Sequence, residues 1–142
     1  MASAFLDTNV LVYAFDGCDP AKRARAIEIL ERAPDELVVS AQVLGEFYVT
    51  VTRKLATPLP PSTAAAAVEQ LARHTVIMTD ATLVRAAVDT STRSQISYWD
   101  ALIVEAAARA GCERILTEDL ADGSTIRGVR IENPFRSEEA AR

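Results

Sequence analysis

Apolar residues follow two rhythms along this chain: short uninterrupted runs, and stripes at three- and four-residue spacing. The runs are Ala4-Phe5-Leu6, Leu37-Val38-Val39, Val76-Ile77-Met78, Arg114-Ile115-Leu116 and Gly128-Val129-Arg130-Ile131. Each predicts a short strand, the first of them buried. The stripes between them predict helices. Val10, Leu11, Tyr13 and Ala14 keep helical spacing after the first run. Asp19-Pro20 opens a helix, with Asp as cap and Pro at the first helical position; Ala24, Ile27, Ile29 and Leu30 form its inner face and Pro34 closes it. Ser40 caps the next, striped by Val43, Leu44, Phe47, Tyr48 and Val51. After the break at Pro58, Pro60 and Pro61, Ser62 caps a helix that runs to about Arg73, near the single histidine, His74. Asp80 caps another, with Leu83, Val84, Ala87 and Val88 inward. Ser97 starts the last, with Trp99, Leu102, Ile103, Ala106 and Ala107 facing the core and Gly111 ending it. Strands alternating with amphipathic helices predict an α/β domain on a mainly parallel sheet. Residues 1–136 read as one domain and 137–142 as a polar tail.

Composition narrows the function. The 142 residues are 49% hydrophobic and 25% charged, which fits a folded domain and excludes disordered and collagen-like chains. Proteins that hold nucleic acid by bulk electrostatics are usually basic; with a net charge of −5 this chain needs a local basic patch or metal ions to hold a phosphate chain, and an enzyme needs only such a local site. Lys22, Arg23, Arg25, Arg53, Lys54 and Arg93 are the candidate phosphate contacts. Cys18 and Cys112 lie far apart without CxxC spacing, so neither a zinc site nor a disulfide framework is expected. One histidine cannot serve a two-histidine acid/base nuclease. No signal peptide and no apolar run of about 20 residues is present, so a cytoplasmic protein without a membrane segment is expected.

Acids stand where a parallel sheet places its ligands, beyond the carboxyl ends of the strands. Asp7 follows the first strand directly and Asp119 follows the fourth. Asp100 is third in the helix capped by Ser97, and Glu46 lies in the second turn of the helix after the second strand. Gathered at one edge, each like-charged pair at ~4 Å costs about 4 kcal/mol at an effective dielectric near 20. A divalent cation removes that cost, and hard oxygen ligands suit Mg²⁺ or Mn²⁺. Blander roles exist for each: Asp100 as a capping-box acid with Ser97, Asp7 as a turn residue, Glu46 as a solvated helix position. Glu118 and Asp122 are chemically equivalent to Asp119 and stay open as alternatives to it.

The segment Phe5-Leu6-Asp7-Thr8-Asn9-Val10-Leu11-Val12-Tyr13-Ala14 resembles the opening of PIN domains. Ser40 to Tyr48, Ser97 to Ile103, Leu116 to Gly123 and Asn133-Pro134-Phe135 resemble that family's later segments, in its order, over essentially the whole chain. The resemblance implies a three-layer α/β/α domain and a metal-dependent ribonuclease. Asp7, Glu46, Asp100 and Asp119 would form the acidic pocket, with Asp7, Asp100 and Asp119 as Mg²⁺ ligands. Thr8, Asn9 and Thr117 would be polar supports. The small size resembles VapC-type toxins, which implies an RNA substrate, a small VapB-like antitoxin and a homodimer; Leu44, Phe47, Tyr48 and Val51 are candidates for core or interface. A PIN-domain RNA-processing nuclease outside such a pair is the nearest alternative. A haloacid-dehalogenase-like phosphatase also begins with Asp after its first strand, but the second Asp it wants two positions on is here Asn9.

Overall fold

The computed structural model describes residues 2–33 and 35–136. Six strands form one sheet: β1 (Ser3–Leu6), β2 (Glu36–Ser40), β3 (Thr75–Ile77), β4 (Arg114–Leu116), β5 (Thr125–Ile126) and β6 (Val129–Glu132), in the order β3-β2-β1-β4-β6-β5. Every pairing is parallel except the β5–β6 hairpin. The helices are α1 (Thr8–Tyr13), α2 (Pro20–Arg32), α3 (Ala41–Arg53), α4 (Pro61–Leu71), α5 (Ala81–Ser94) and α6 (Tyr98–Arg109). All four residues of β1 are buried, although alternate side chains point to opposite faces. Both faces of the sheet centre are therefore covered, as the three-layer arrangement requires.

Local signals set most boundaries. The carboxylates of Asp19 and Asp80 and the hydroxyls of Ser40 and Ser97 accept from backbone N–H groups three residues on, at 2.8–3.2 Å, and so start α2, α5, α3 and α6. Gly111 follows α6 at φ +71°, the left-handed conformation that terminates a helix there. Several expectations are corrected. Helix α4 begins behind Pro60, with no side-chain cap, because proline's fixed φ makes one unnecessary; Ser62 lies inside it, and it ends at Leu71. Thr125–Ile126 form β5, a two-residue strand too short for any periodicity to reveal. Strand β3 stops at Ile77, leaving Met78 exposed.

Some helix faces also rotate. In α2 the buried positions are Ala26 and Ile29, while Ala24 is exposed. In α5 the seam packed on α6 runs Leu83, Ala87, Thr90, which turns Val88 outward. In α3, Val43, Phe47 and Val51 are core, while Leu44 is half-buried and Tyr48 is exposed. In α6 every residue from Ala101 to Ala107 is buried, yet Trp99 is 62% exposed. The expected closure at Pro34 and the tail 137–142 lie outside the described residues. Among the described residues no helix is long and apolar enough to cross a membrane.

Candidate active site at the carboxyl edge of the sheet

The chain reverses its direction of winding at β1: β2 pairs with one side of it and β4 with the other. Side chains just beyond the carboxyl ends of β1 and β4 thus face a crevice between diverging connections. The register pairs Leu6 with Leu116, so Asp7 and Thr117 emerge side by side. The Asp7 N–H still donates to the Leu116 carbonyl at 3.1 Å, extending the ladder one step into the site.

Four hydrogen bonds then tie the acids together. The Thr117 hydroxyl donates to Asp7 Oδ2 at 2.8 Å, and Thr117 itself is fully buried. Thr117 Oγ1 in turn accepts from the Asp119 backbone N–H at 3.1 Å, which fixes the turn that carries Asp119. Asn9 Nδ2 donates to Asp119 Oδ2 at 3.0 Å, and the Thr8 hydroxyl donates to Glu46 Oε2 at 2.8 Å. Asp7 Oδ1 caps α1 by accepting the Thr8 N–H at 2.7 Å. The three residues expected as polar supports thus link Asp7, Glu46 and Asp119 across three segments of chain.

Asp100 has no side-chain bond to this network. It stands in the first turn of α6, half-buried, its backbone N–H held by Ser97. Burial raises its carboxyl above the ordinary value, and the charges of Asp119 and Glu46 add to the rise. Asp7 is affected more. It is 5% exposed, and burial pushes it up from 3.8 to about 6 against the lowering effect of Thr117 and the Thr8 N–H; Asp119 and Glu46 push in the same direction as burial. Both acids therefore sense the same two neighbours, so all four share one field.

The two open alternatives to Asp119 are engaged elsewhere. Glu118 accepts from Tyr13 and from Lys22 Nζ, the latter at 2.9 Å. Asp122 accepts from the Asn133 N–H and from Arg136, each at 2.9 Å. Gln42 belongs to the site without a motif to announce it: its Nε2 donates to Glu46 Oε1 at 2.9 Å. The signal available was its position four residues before Glu46 on one helix face. Of the candidate phosphate contacts, Lys22, Arg25 and Arg93 form ion pairs with Glu118, Glu28 and Asp89.

The donor set is all hard oxygen. Among the described residues, no three His, Cys, Asp or Glu side chains approach closely enough to cage an ion by themselves. Oxygen donors alone suit a hard divalent cation that keeps several of its own waters, through which the more distant acids would act. Asn9 Oδ1 adds to the fit: it is buried without a hydrogen-bond partner beside Asp119, a neutral oxygen left free for a cation or its water.

A family model for the PIN domain matches residues 4–121, and the chain belongs to that family. Membership sets aside the phosphatase alternative. Comparison with curated protein sequences gave no match. Solved structures share the fold. A toxin–antitoxin complex from Klebsiella pneumoniae is 21% identical, with a TM-score of 0.70 over 92% of this chain and 97% of that one. VapC20 of Mycobacterium tuberculosis, described as a toxin cleaving the sarcin–ricin loop, is 20% identical, with a TM-score of 0.66 over 82% of this chain and 89% of that one. VapBC2 of Rickettsia felis, bound to a promoter DNA fragment, is 17% identical, with a TM-score of 0.64 over 92% and 98%.

Proposed function

We propose that this chain is a metal-dependent endoribonuclease and the toxin of a toxin–antitoxin pair. The observation that carries the reading is the network in which Thr117 and Asn9 bind a buried, proton-hungry Asp7 to Asp119 at the winding reversal of the sheet. So many carboxylates in one field are unfavourable unless something cationic joins them. Asp7, Asp100 and Asp119 are the proposed ligands of Mg²⁺, with Mn²⁺ as a substitute, and Glu46 acts through water. Held by these carboxylates, a divalent ion would supply a water of lowered pKa and positive charge against the phosphate oxygens.

The protein's own part is placement. Thr117 orients Asp7, Asn9 orients Asp119, and Thr8 with Gln42 fixes both oxygens of Glu46. Glu46, exposed at the rim, would be the group that accepts a proton from the attacking water. In-line attack on the phosphodiester then leaves 5′-phosphate and 3′-hydroxyl ends, with no need for the RNA 2′-hydroxyl.

The neighbours described as toxin–antitoxin assemblies support a small antitoxin partner, and VapC20's description supports RNA as substrate. A homodimer belongs to the same proposal: Tyr48 and Val49 are exposed on α3, whereas Phe47 and Val51 are spent in the core. The test is incubation with structured RNAs in Mg²⁺, Mn²⁺ or chelator, followed by sequencing of fragment ends. Metal-dependent cuts with 5′-phosphates are expected and Asp7→Ala should abolish them. Cyclic phosphate ends, or cleavage that survives chelator, would refute the mechanism.

A further inference from the structure

Trp99 is the chain's one tryptophan. Its position in the apolar stripe of α6 predicts a core residue, yet it is 62% exposed. Its ring is braced all the same. Tyr98 meets it edge-on, ring centroids 4.9 Å apart and planes at 74°, and Tyr98 is itself packed against the core. An exposed indole held this way loses little freedom when something flat settles on it.

Its place in the fold suggests what that is. Trp99 immediately precedes Asp100 in the first turn of α6, and Asp100 feels the charges of Asp119 and Glu46. Neighbouring residues have Cα atoms about 3.8 Å apart, so the indole and the Asp100 carboxylate are carried by adjacent points of one helical turn, a spacing comparable to one nucleotide of an extended strand. The chain as a whole carries −5, and of the six candidate cations Lys22, Arg25 and Arg93 are already paired. Coulombic attraction for a strand is therefore left to a bound cation and to the remaining basic side chains such as Lys54, which lines a cavity with Thr8 and Glu46, and base stacking on an aromatic face adds attachment regardless of sequence.

We propose that the Trp99 indole is a stacking platform for an unpaired base next to the phosphodiester presented to Asp7 and Asp100. This rests on the ribonuclease reading and adds to it that the substrate is single-stranded beside the cut.

The single tryptophan makes the platform directly observable. Asp7→Asn protein in Mg²⁺ is titrated with a 12-nucleotide single-stranded RNA of mixed sequence, following indole emission, and with its fluorescein-labelled form, following anisotropy. Quenching at saturation is expected with the RNA, and none with an abasic oligomer of equal length. Trp99→Ala should weaken binding about five- to 100-fold, and Trp99→Phe much less. In the otherwise native enzyme Trp99→Ala should raise KM more than it lowers kcat. RNA binding with unmoved emission and an unchanged Kd in Trp99→Ala overturns the platform and leaves the nuclease reading standing. Emission that shifts with protein concentration, together with a change in sedimentation, shows a second copy on the ring and also overturns it. Absence of both RNA binding and metal-dependent cleavage by the native chain overturns the nuclease reading, and the platform with it. If Trp99→Ala fails to fold, Trp99→Phe and the abasic oligomer decide the question.

Discussion

Asp7→Asn should make the ion-free protein more stable at neutral pH while ending its activity. The Asp7 carboxyl is 5% exposed and pushed from 3.8 to about 6, chiefly by burial. At 1.36 kcal/mol per pH unit, that displacement is worth about 3 kcal/mol. A raised carboxyl pKa means the native state holds the proton more tightly than the unfolded chain does. Stability contributed by Asp7 is therefore complete below about pH 4 and is lost as pH climbs through about 6.

The amide cannot ionise, so it escapes this loss. Its oxygen can go on accepting the Thr8 N–H that caps α1. Its NH₂ group cannot accept from the Thr117 hydroxyl, and one forfeited buried hydrogen bond costs about 1 kcal/mol. The balance at pH 7 is about 2 kcal/mol in favour of Asp7→Asn, or about 5–8 °C in Tm for a domain of this size. Below pH 4 the order should reverse, with the variant the weaker by about 1 kcal/mol. Thermal and urea unfolding of both proteins in chelator, from pH 3.5 to 8, tests this. A stability difference that stays constant across that range would mean that Asp7 is not held above its ordinary value, and the electrostatic basis of the site would fall.

Mg²⁺ at about 100 times its Kd should stabilise the native protein by about 2.7 kcal/mol at pH 7 and Asp7→Asn far less, as read by thermal melts; equal shifts would place the ion elsewhere. Thr117→Val should cost about 1–3 kcal/mol in urea unfolding, because it strips a buried donor from Asp7 and an acceptor from the Asp119 N–H. It should also move the acid limb of the cleavage profile to higher pH, since the hydroxyl now holds Asp7 down; a limb that stays in place would deny Thr117 that role.

The elements were legible because their signals are local. Asp19, Ser40, Asp80 and Ser97 cap helices through bonds spanning three residues, and the short apolar runs of a parallel sheet need no partner to be recognised. The four acids were legible for a related reason: each sits at a strand end or in an early helical turn, and the parallel topology sends those places to one edge. Where one helix face had to be chosen from several apolar residues, as with Ala24 against Ala26 or Val88 against Thr90, the sequence offered near-equal options and the neighbouring helix chose between them.

By itself, then, the sequence determined five of the six strands, the helices between them, the caps at Asp19, Ser40, Asp80 and Ser97 and the candidate acids, since these depend on backbone chemistry within a few residues. Only the tertiary structure placed Thr117 against Asp7, a contact between residues 110 apart that rests on the pairing of Leu6 with Leu116. It alone turned Glu118 toward Lys22 and Tyr13 while leaving Asp119 to Asn9. It also put Trp99 outside. Because α6 is buried on every side from Ala101 to Ala107, its apolar stripe does not show which side of the first turn stays open, and only the packing of the rest of the chain around it decides that.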